Sequence, residues 1–225
     1  MKLATHTVVG FPNEKTSEKI PFSDPVADGE AITAANAVAL AQKISPQKCR
    51  DFAARFAKKF PATEIFLMSY FNPIFRFGIS KFAAAAQKSG VRGFVVPDLP
   101  VDESEDFLKI CRKNKLELIF VVAPNTPDER LRKIAEKKSG WIYATARLGI
   151  TGSPTAIDSN LQKFLARIRR FSKAEIGVGF GVKNSADLRK IESAGADIGI
   201  VGSELFRQFE NGGLTNLEKF LRKLN

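Results

Sequence analysis

Short apolar runs recur along this chain from residue 64 onward, each followed by a longer stretch in which apolar side chains return every three or four positions. The runs are Glu64 to Tyr70 (EIFLMSY), Gly93 to Pro97 (GFVVP), Glu117 to Val122 (ELIFVV), Trp141 to Thr145 (WIYAT), Glu175 to Gly179 (EIGVG) and Ile198 to Val201 (IGIV). Between them Leu161, Phe164, Leu165 and Ile168 illustrate the helical stripe. This alternation reads as repeated βα units, and near-continuously apolar strands indicate a parallel sheet covered by helices. Thr5 to Val9 (THTVV) adds a first strand. The total is then seven, one short of a closed (β/α)8 barrel.

The gap has one place to be. Only "FPNEKTSEKI" separates Gly10 from Pro21, whereas a crossover to the next parallel strand takes at least about ten to twelve residues with its helix, before the strand itself. The expectation is an α/β chain of (β/α)8 TIM-barrel type that lacks helix 1 and strand 2. A chain of 225 residues with 44% hydrophobic content suits one such domain over residues 1–225.

No apolar run reaches eighteen residues, and "MKLATHTVVG" lacks the apolar stretch of a signal peptide. A cytoplasmic protein with no membrane partner is expected. Cys49 and Cys111 lie far apart without CxxC spacing and with a single histidine in the chain, so reduced core thiols and no metal site are expected. The net charge of +11 favours anionic partners. Its lysines are scattered over helix faces with few aromatic residues interleaved, which reads as a solvated basic surface rather than a nucleic-acid site.

Three stretches carry candidate chemistry. "EIGVGFGVKNSADLRKI" puts Gly177, Gly179 and Gly181 around a strand end, and "IGIVGSEL" puts Gly202 and Ser203 at the same junction one unit later. Glycine and helix N-termini suit a phosphate there, and tight turns and packing are the alternative. "WIYATARLGITGSPTAI" follows a strand with Arg147, Gly149, Thr151 and Gly152, a composition suited to a closing lid or to an ordinary loop. Tyr143 there fits a core aromatic. In "IPFSDPVADG", Asp24 fits a turn former, and Asp28 fits either a helix N-terminal residue or a catalytic carboxylate.

Taken with "TVVGFP", "MSYFNPIFRFG", "VVPDLPVDES", "VAPNTPDERL", "ARLGITG" and "GADIGIVGS", these stretches resemble, in order and spacing, the tryptophan synthase alpha chain family. The resemblance implies a (β/α)8 lyase that cleaves indole-3-glycerol phosphate to indole and glyceraldehyde 3-phosphate by retro-aldol chemistry, as a step of tryptophan biosynthesis. It also implies an α2β2 complex whose beta chain holds pyridoxal phosphate, with no cofactor in this chain. Position by position, Asp28 matches the aspartate acting on the indole nitrogen proton and Tyr143 the active-site tyrosine. Gly152, Gly181, Gly202 and Ser203 match the phosphate site. Thr151 and Arg147 match the lid, Tyr70 and Phe180 the substrate pocket, and Asp24, Pro25 and Asn72 the face toward the beta chain.

One departure bears on catalysis. The general acid/base of the family is a glutamate within Glu-Leu-Gly-x-Pro at the end of strand 2, and counting back from Pro21 that position is Ser17. A serine hydroxyl is too weak an acid to replace it. Relative to the family the chain lacks on the order of fifteen residues, about one helix and one strand. A lyase with a rearranged acid, with Glu18 or Glu30 as candidates, and a non-catalytic partner that activates the beta chain are both consistent with the sequence. Losing a barrel strand is also expected to leave its neighbours with unpaired backbone groups.

Overall fold

The computed structural model describes residues 1–6, 8, 19–145, 159–179 and 181–224. Its strands are β1 (Lys2–Thr5), β2 (Phe66–Met68), β3 (Gly93–Val95), β4 (Glu117–Val122), β5 (Ile142–Thr145), β6 (Ile176–Gly179) and β7 (Ile198–Val201). Its helices are α1 (Glu30–Ala41), α2 (Pro46–Lys59), α3 (Phe71–Phe77), α4 (Ile79–Lys88), α5 (Glu105–Lys113), α6 (Asp128–Lys137), α7 (Ser159–Arg169), α8 (Ser185–Ser193) and α9 (Ser203–Leu224). α9 is broken at Gly212 and Gly213, where the backbone leaves helical angles. β2 to β7 and the stripe through Leu161, Phe164, Leu165 and Ile168, all four buried, stand where the periodicity puts them. The chain forms two compact units.

The first unit comprises Met1–His6, Ala27–Ile32 and Val121–Asn225. In it β1, β7, β6 and β5 pair in that order, all parallel. Ile176, Val178, Ile198, Ile200 and Val201 are buried, as strands covered on both faces require. Of the expected run Thr5 to Val9, Thr5 ends β1, Val8 forms a parallel bridge to Lys19, and Thr7 and Val9 lie outside the described residues. The register of β1 with β7 aligns Lys2 with Ile198 and Thr5 with Val201, and the His6 N–H donates to the Val201 carbonyl at 2.8 Å. α8 begins where Asn184 accepts from the Asp187 N–H at 3.0 Å, an N-cap worth about 1 kcal/mol.

The second unit comprises Thr7–Val26 and Thr33–Phe120, with β2, β3 and the start of β4 paired parallel. Its interior is aromatic. Phe82 packs on Phe94 at 5.4 Å between ring centres, Phe94 stacks on Phe107 at 5.5 Å, and Phe107 meets Phe71 edge-on at 6.1 Å. Such pairs add about 0.5–1.5 kcal/mol each beyond area burial. They join α3, α4, β3 and α5 into one core. Cys49 and Cys111 are buried free thiols.

The gap left by the short Gly10–Pro21 segment is bridged. Lys19 forms a parallel bridge to Val8 on one side and to Met68 on the other, and the Ile20 N–H donates to the Met68 carbonyl at 3.0 Å. Among the described residues, Lys19 thus stands between the Val8 and Met68 backbones. At these described positions the expected unpaired edges do not arise, because Lys19 and Ile20 supply hydrogen-bonding groups to their neighbours.

Candidate active site

In the first unit the loops that follow β6 and β7 lie beside one another, because the two strands pair Gly177 with Ile198 and Gly179 with Ile200. Gly181 follows β6 with φ of +63°, a conformation that favours glycine. Gly202 follows β7, and Ser203 opens α9, whose first turn is closed by the Leu205 N–H donating to the Gly202 carbonyl at 2.8 Å. Helix N–H groups and the dipole of α9 make this end favourable for an anion. His6 packs against Gly202, with Nδ1 at ordinary contact distance from where a β-carbon would lie.

Gly177 and Gly179 do something else. They lie inside β6, not in its loop. A β-carbon at Gly177 would meet the Trp141 ring at 2.6 Å, and one at Gly179 would overlap the Tyr143 hydroxyl. Trp141 and Tyr143 stack at 5.9 Å on one face of β5, so the two glycines make room for two aromatic side chains. Of the two alternatives open for these glycines, Gly177 and Gly179 are packing positions, whereas Gly181 stands beyond the strand's end.

Burial pushes the Tyr143 phenol up to about 12, and the negative charge of Asp28 pushes it in the same direction. Asp28 is buried, 7% exposed, two residues before α1 begins. A buried carboxylate electrostatically coupled to a neutral phenol can accept a hydrogen bond or proton from a ligand N–H. Glu30 is exposed in the first turn of α1. In the second unit Tyr70 is buried against Phe22 at 5.4 Å. Asp24, which accepts from the Ser23 hydroxyl at 2.6 Å, and Asn72 on α3 are exposed, and Pro25 is half-buried. Val26 and Phe75 add apolar surface at 72% and 64% exposure.

The structure thus brings Asp28, Tyr143, Gly181, Gly202 and Ser203 into one unit and Tyr70, Asp24, Pro25 and Asn72 into the other. Ser17, Glu18, Arg147, Thr151, Gly152 and Phe180 lie outside the described residues. Among the described residues no cluster of His, Cys, Asp and Glu suits a metal ion, and no helix is long and apolar enough to cross a membrane. Lys19 escapes sequence reasoning, and a charged residue directly ahead of Ile20-Pro21 was the one available signal for it.

The family model described as "Tryptophan synthase alpha chain" matches residues 19–225. This chain belongs to the tryptophan synthase alpha chain family. The tryptophan synthase alpha chain of Syntrophotalea carbinolica is 38% identical over 238 residues, covering 99% of this chain and 93% of the relative. That of Methanocaldococcus jannaschii is 38% identical, over 95% of this chain and 83% of the relative. The first alignment is longer than the 225-residue chain, so it carries gaps on this side. Among solved structures, the tryptophan synthase complex from Pyrococcus furiosus superposes with TM-score 0.89 at 31% identity over 99% of this chain and 97% of that one. Tryptophan synthase from Mycobacterium tuberculosis does so with TM-score 0.89 at 28% identity, over 99% of this chain and 90% of that one. The fold is accordingly the α/β TIM-barrel type of the alpha subunits, with seven strands among the described residues.

Proposed function

We propose that this chain is the alpha subunit of a tryptophan synthase and that its site takes indole-3-glycerol phosphate for retro-aldol cleavage to indole and glyceraldehyde 3-phosphate. The observation that carries this reading is the coupling of buried Asp28 to Tyr143 in the unit that also holds Gly181, Gly202 and Ser203. In this reading the Gly181 loop and the N-terminus of α9 hold the phosphate, joined by Gly152. Asp28 accepts the indole N–H, and a neutral Tyr143 presents a hydroxyl beside it. Thr151 and Arg147 belong to the lid, and Tyr70 and Phe180 to the pocket wall. Asp24, Pro25 and Asn72 face a beta chain in an α2β2 assembly, and exposed Val26 and Phe75 supply apolar surface suited to it. Pyridoxal phosphate belongs to that beta chain, and the assembly is cytoplasmic.

The acid/base glutamate is replaced at its position by Ser17, and a positioned acid or base contributes roughly 10²- to 10⁴-fold. Turnover is therefore expected below that of a chain with the carboxylate. The replacement also favours a second reading, in which the chain binds and activates the beta subunit without cleaving. The two separate in one experiment on the purified chain mixed with its cognate beta chain. Indole released from indole-3-glycerol phosphate, and its loss in Asp28→Asn, supports the lyase. No indole release, with faster conversion of indole and serine to tryptophan, supports the activator and overturns the lyase.

A further inference from the structure

Neither of the two demands that account for the nearby glycines accounts for Gly202. Gly177 and Gly179 leave room for Trp141 and Tyr143, Gly199 leaves room for Leu188, and Gly181 holds a left-handed backbone. Gly202 lies outside the left-handed region, and a β-carbon there would meet its three nearest described atoms at ordinary contact distance. All three belong to His6: Nδ1 at 3.5 Å, Cβ at 3.7 Å and Cγ at 3.9 Å. An alanine would fit. What the glycine leaves is a face without a side chain, with the imidazole on one side and the first turn of α9 beginning at Ser203 on the other.

His6 is half-buried and stands one residue beyond the aligned pair Thr5 and Val201, its N–H bonded to the Val201 carbonyl at 2.8 Å. Imidazole and Gly202 therefore share the carboxyl end of two paired strands, within one unit, the end where barrels of this class place their chemistry. β7 carries no ionisable side chain. Lys2, at the far end of β1, is bonded to Glu175 at 2.8 Å, and in the first turns of α9 Glu204 is engaged by Arg207 at 3.0 Å. His6 is the single histidine of the chain, and imidazole is the side chain that gains charge between pH 8 and pH 5.

We propose that His6 is a ligand of the substrate's phosphate, its imidazole donating to a phosphate oxygen across the open face of Gly202 while backbone N–H groups at the start of α9 hold the other oxygens. The inference rests on the phosphate position of the reading above and adds a side chain to it. Anion affinity at this site then rises as pH falls.

The test uses the full chain and sulfate, whose charge is constant over this range, titrated calorimetrically at pH 8 and pH 5.5. The variants are His6→Phe, His6→Gln and Gly202→Ala, each with its melting temperature. The wild-type chain is expected to bind sulfate about 10-fold more tightly at pH 5.5, the scale of a hydrogen bond between charged groups, and to release it to an indole alkyl phosphate. His6→Phe binds more weakly at both pH values and loses the pH dependence. His6→Gln keeps the affinity of pH 8 and does not change with pH. Gly202→Ala, which fills the open face, weakens binding at both pH values at an unchanged melting temperature. The same pH dependence in both His6 variants overturns the proposal and leaves the phosphate position standing, as does wild-type-like binding by Gly202→Ala. Loss of the fold in both His6 variants overturns it by marking His6 as structural. Sulfate that the indole alkyl phosphate does not displace lies on the basic surface and overturns it too. A wild-type chain that binds no sulfate at either pH overturns both the proposal and the phosphate position.

Discussion

The Tyr143 hydroxyl fills the space that a β-carbon at Gly179 would need, with the adjoining ring carbon at 3.0 Å from that position. The two residues sit on neighbouring paired strands, β5 and β6. The phenol therefore owes its position to the absence of a side chain across the sheet.

Gly179→Ala is accordingly expected to push Tyr143 from its position. The cost is about 1–3 kcal/mol, the usual range for overpacking a filled interior, and indole release falls with it. Denaturant unfolding reads the first and an indole assay the second. An alanine variant with unchanged stability and unchanged release removes the steric link between Gly179 and Tyr143.

The buried thiols and phenol set the alkaline behaviour. Burial pushes Cys49 and Cys111 up to about 12 from 9.0, and Tyr143 up to about 12 from 10.0. Each group is neutral when protonated and has a folded-state pKa above its unfolded value. Between the two values the folded state binds more protons than the unfolded state. Stability is then present below about pH 9 and falls progressively as pH rises toward 12. Melting temperatures measured from pH 8 to 11 are expected to decline, and Cys49→Ala/Cys111→Ala is expected to flatten the decline between pH 9 and 10. The phenolate absorbance of Tyr143 is expected to appear late in an alkaline titration of a Tyr70→Phe chain. In Asp28→Asn it appears at lower pH, because the neighbouring negative charge is gone.

These positions also show what was legible in the sequence. The seven strands could be read because parallel strands covered on both faces leave unbroken apolar runs such as ELIFVV and IGIV. Gly202-Ser203 could be placed because a strand end and a helix start flank them directly. Gly177 and Gly179 could not be sorted from Gly181, since composition does not say whether a glycine serves a loop or the aromatic residue on the next strand. Lys19 was illegible for a different reason: a one-residue bridge leaves no periodicity. The start of β1 at Lys2 could not be read, because its register with β7 is a non-local constraint.

The start of α9 carries a carboxylate beside the proposed phosphate position. Glu204 follows Ser203 and is buried, and it accepts from Arg207 at 3.0 Å and from Gln208 at 2.6 Å. Negative charge at this end competes with an incoming phosphate for the same N–H groups and dipole, and Arg207 offsets it. Arg207→Ala is expected to weaken binding of the substrate's phosphate several-fold, and Glu204→Gln to strengthen it. Calorimetric titration with inorganic phosphate, with and without added salt, measures both. Opposite signs for the two variants place the anion at Ser203, and equal affinities place it elsewhere.

α3 begins immediately after Tyr70, and its first N–H, on Phe71, donates to both carboxylate oxygens of Asp98 at 2.9 and 3.1 Å. Tyr70 itself offers no side-chain cap, so the helix that carries Asn72 is held at its start by a residue 27 positions away in sequence. Asp98→Ala is expected to cost about 1 kcal/mol, the scale of a lost N-cap, whereas Asp98→Asn keeps an acceptor and loses only a few tenths. If α3 faces the beta chain, the alanine variant also weakens assembly, while leaving the Asp28–Tyr143 titration unchanged. Analytical ultracentrifugation with the beta chain, run alongside unfolding of the isolated chain, separates the two effects. Weaker assembly at unchanged stability would mean that Asp98 acts at the interface itself, and loss of stability with full assembly would remove α3 from that interface.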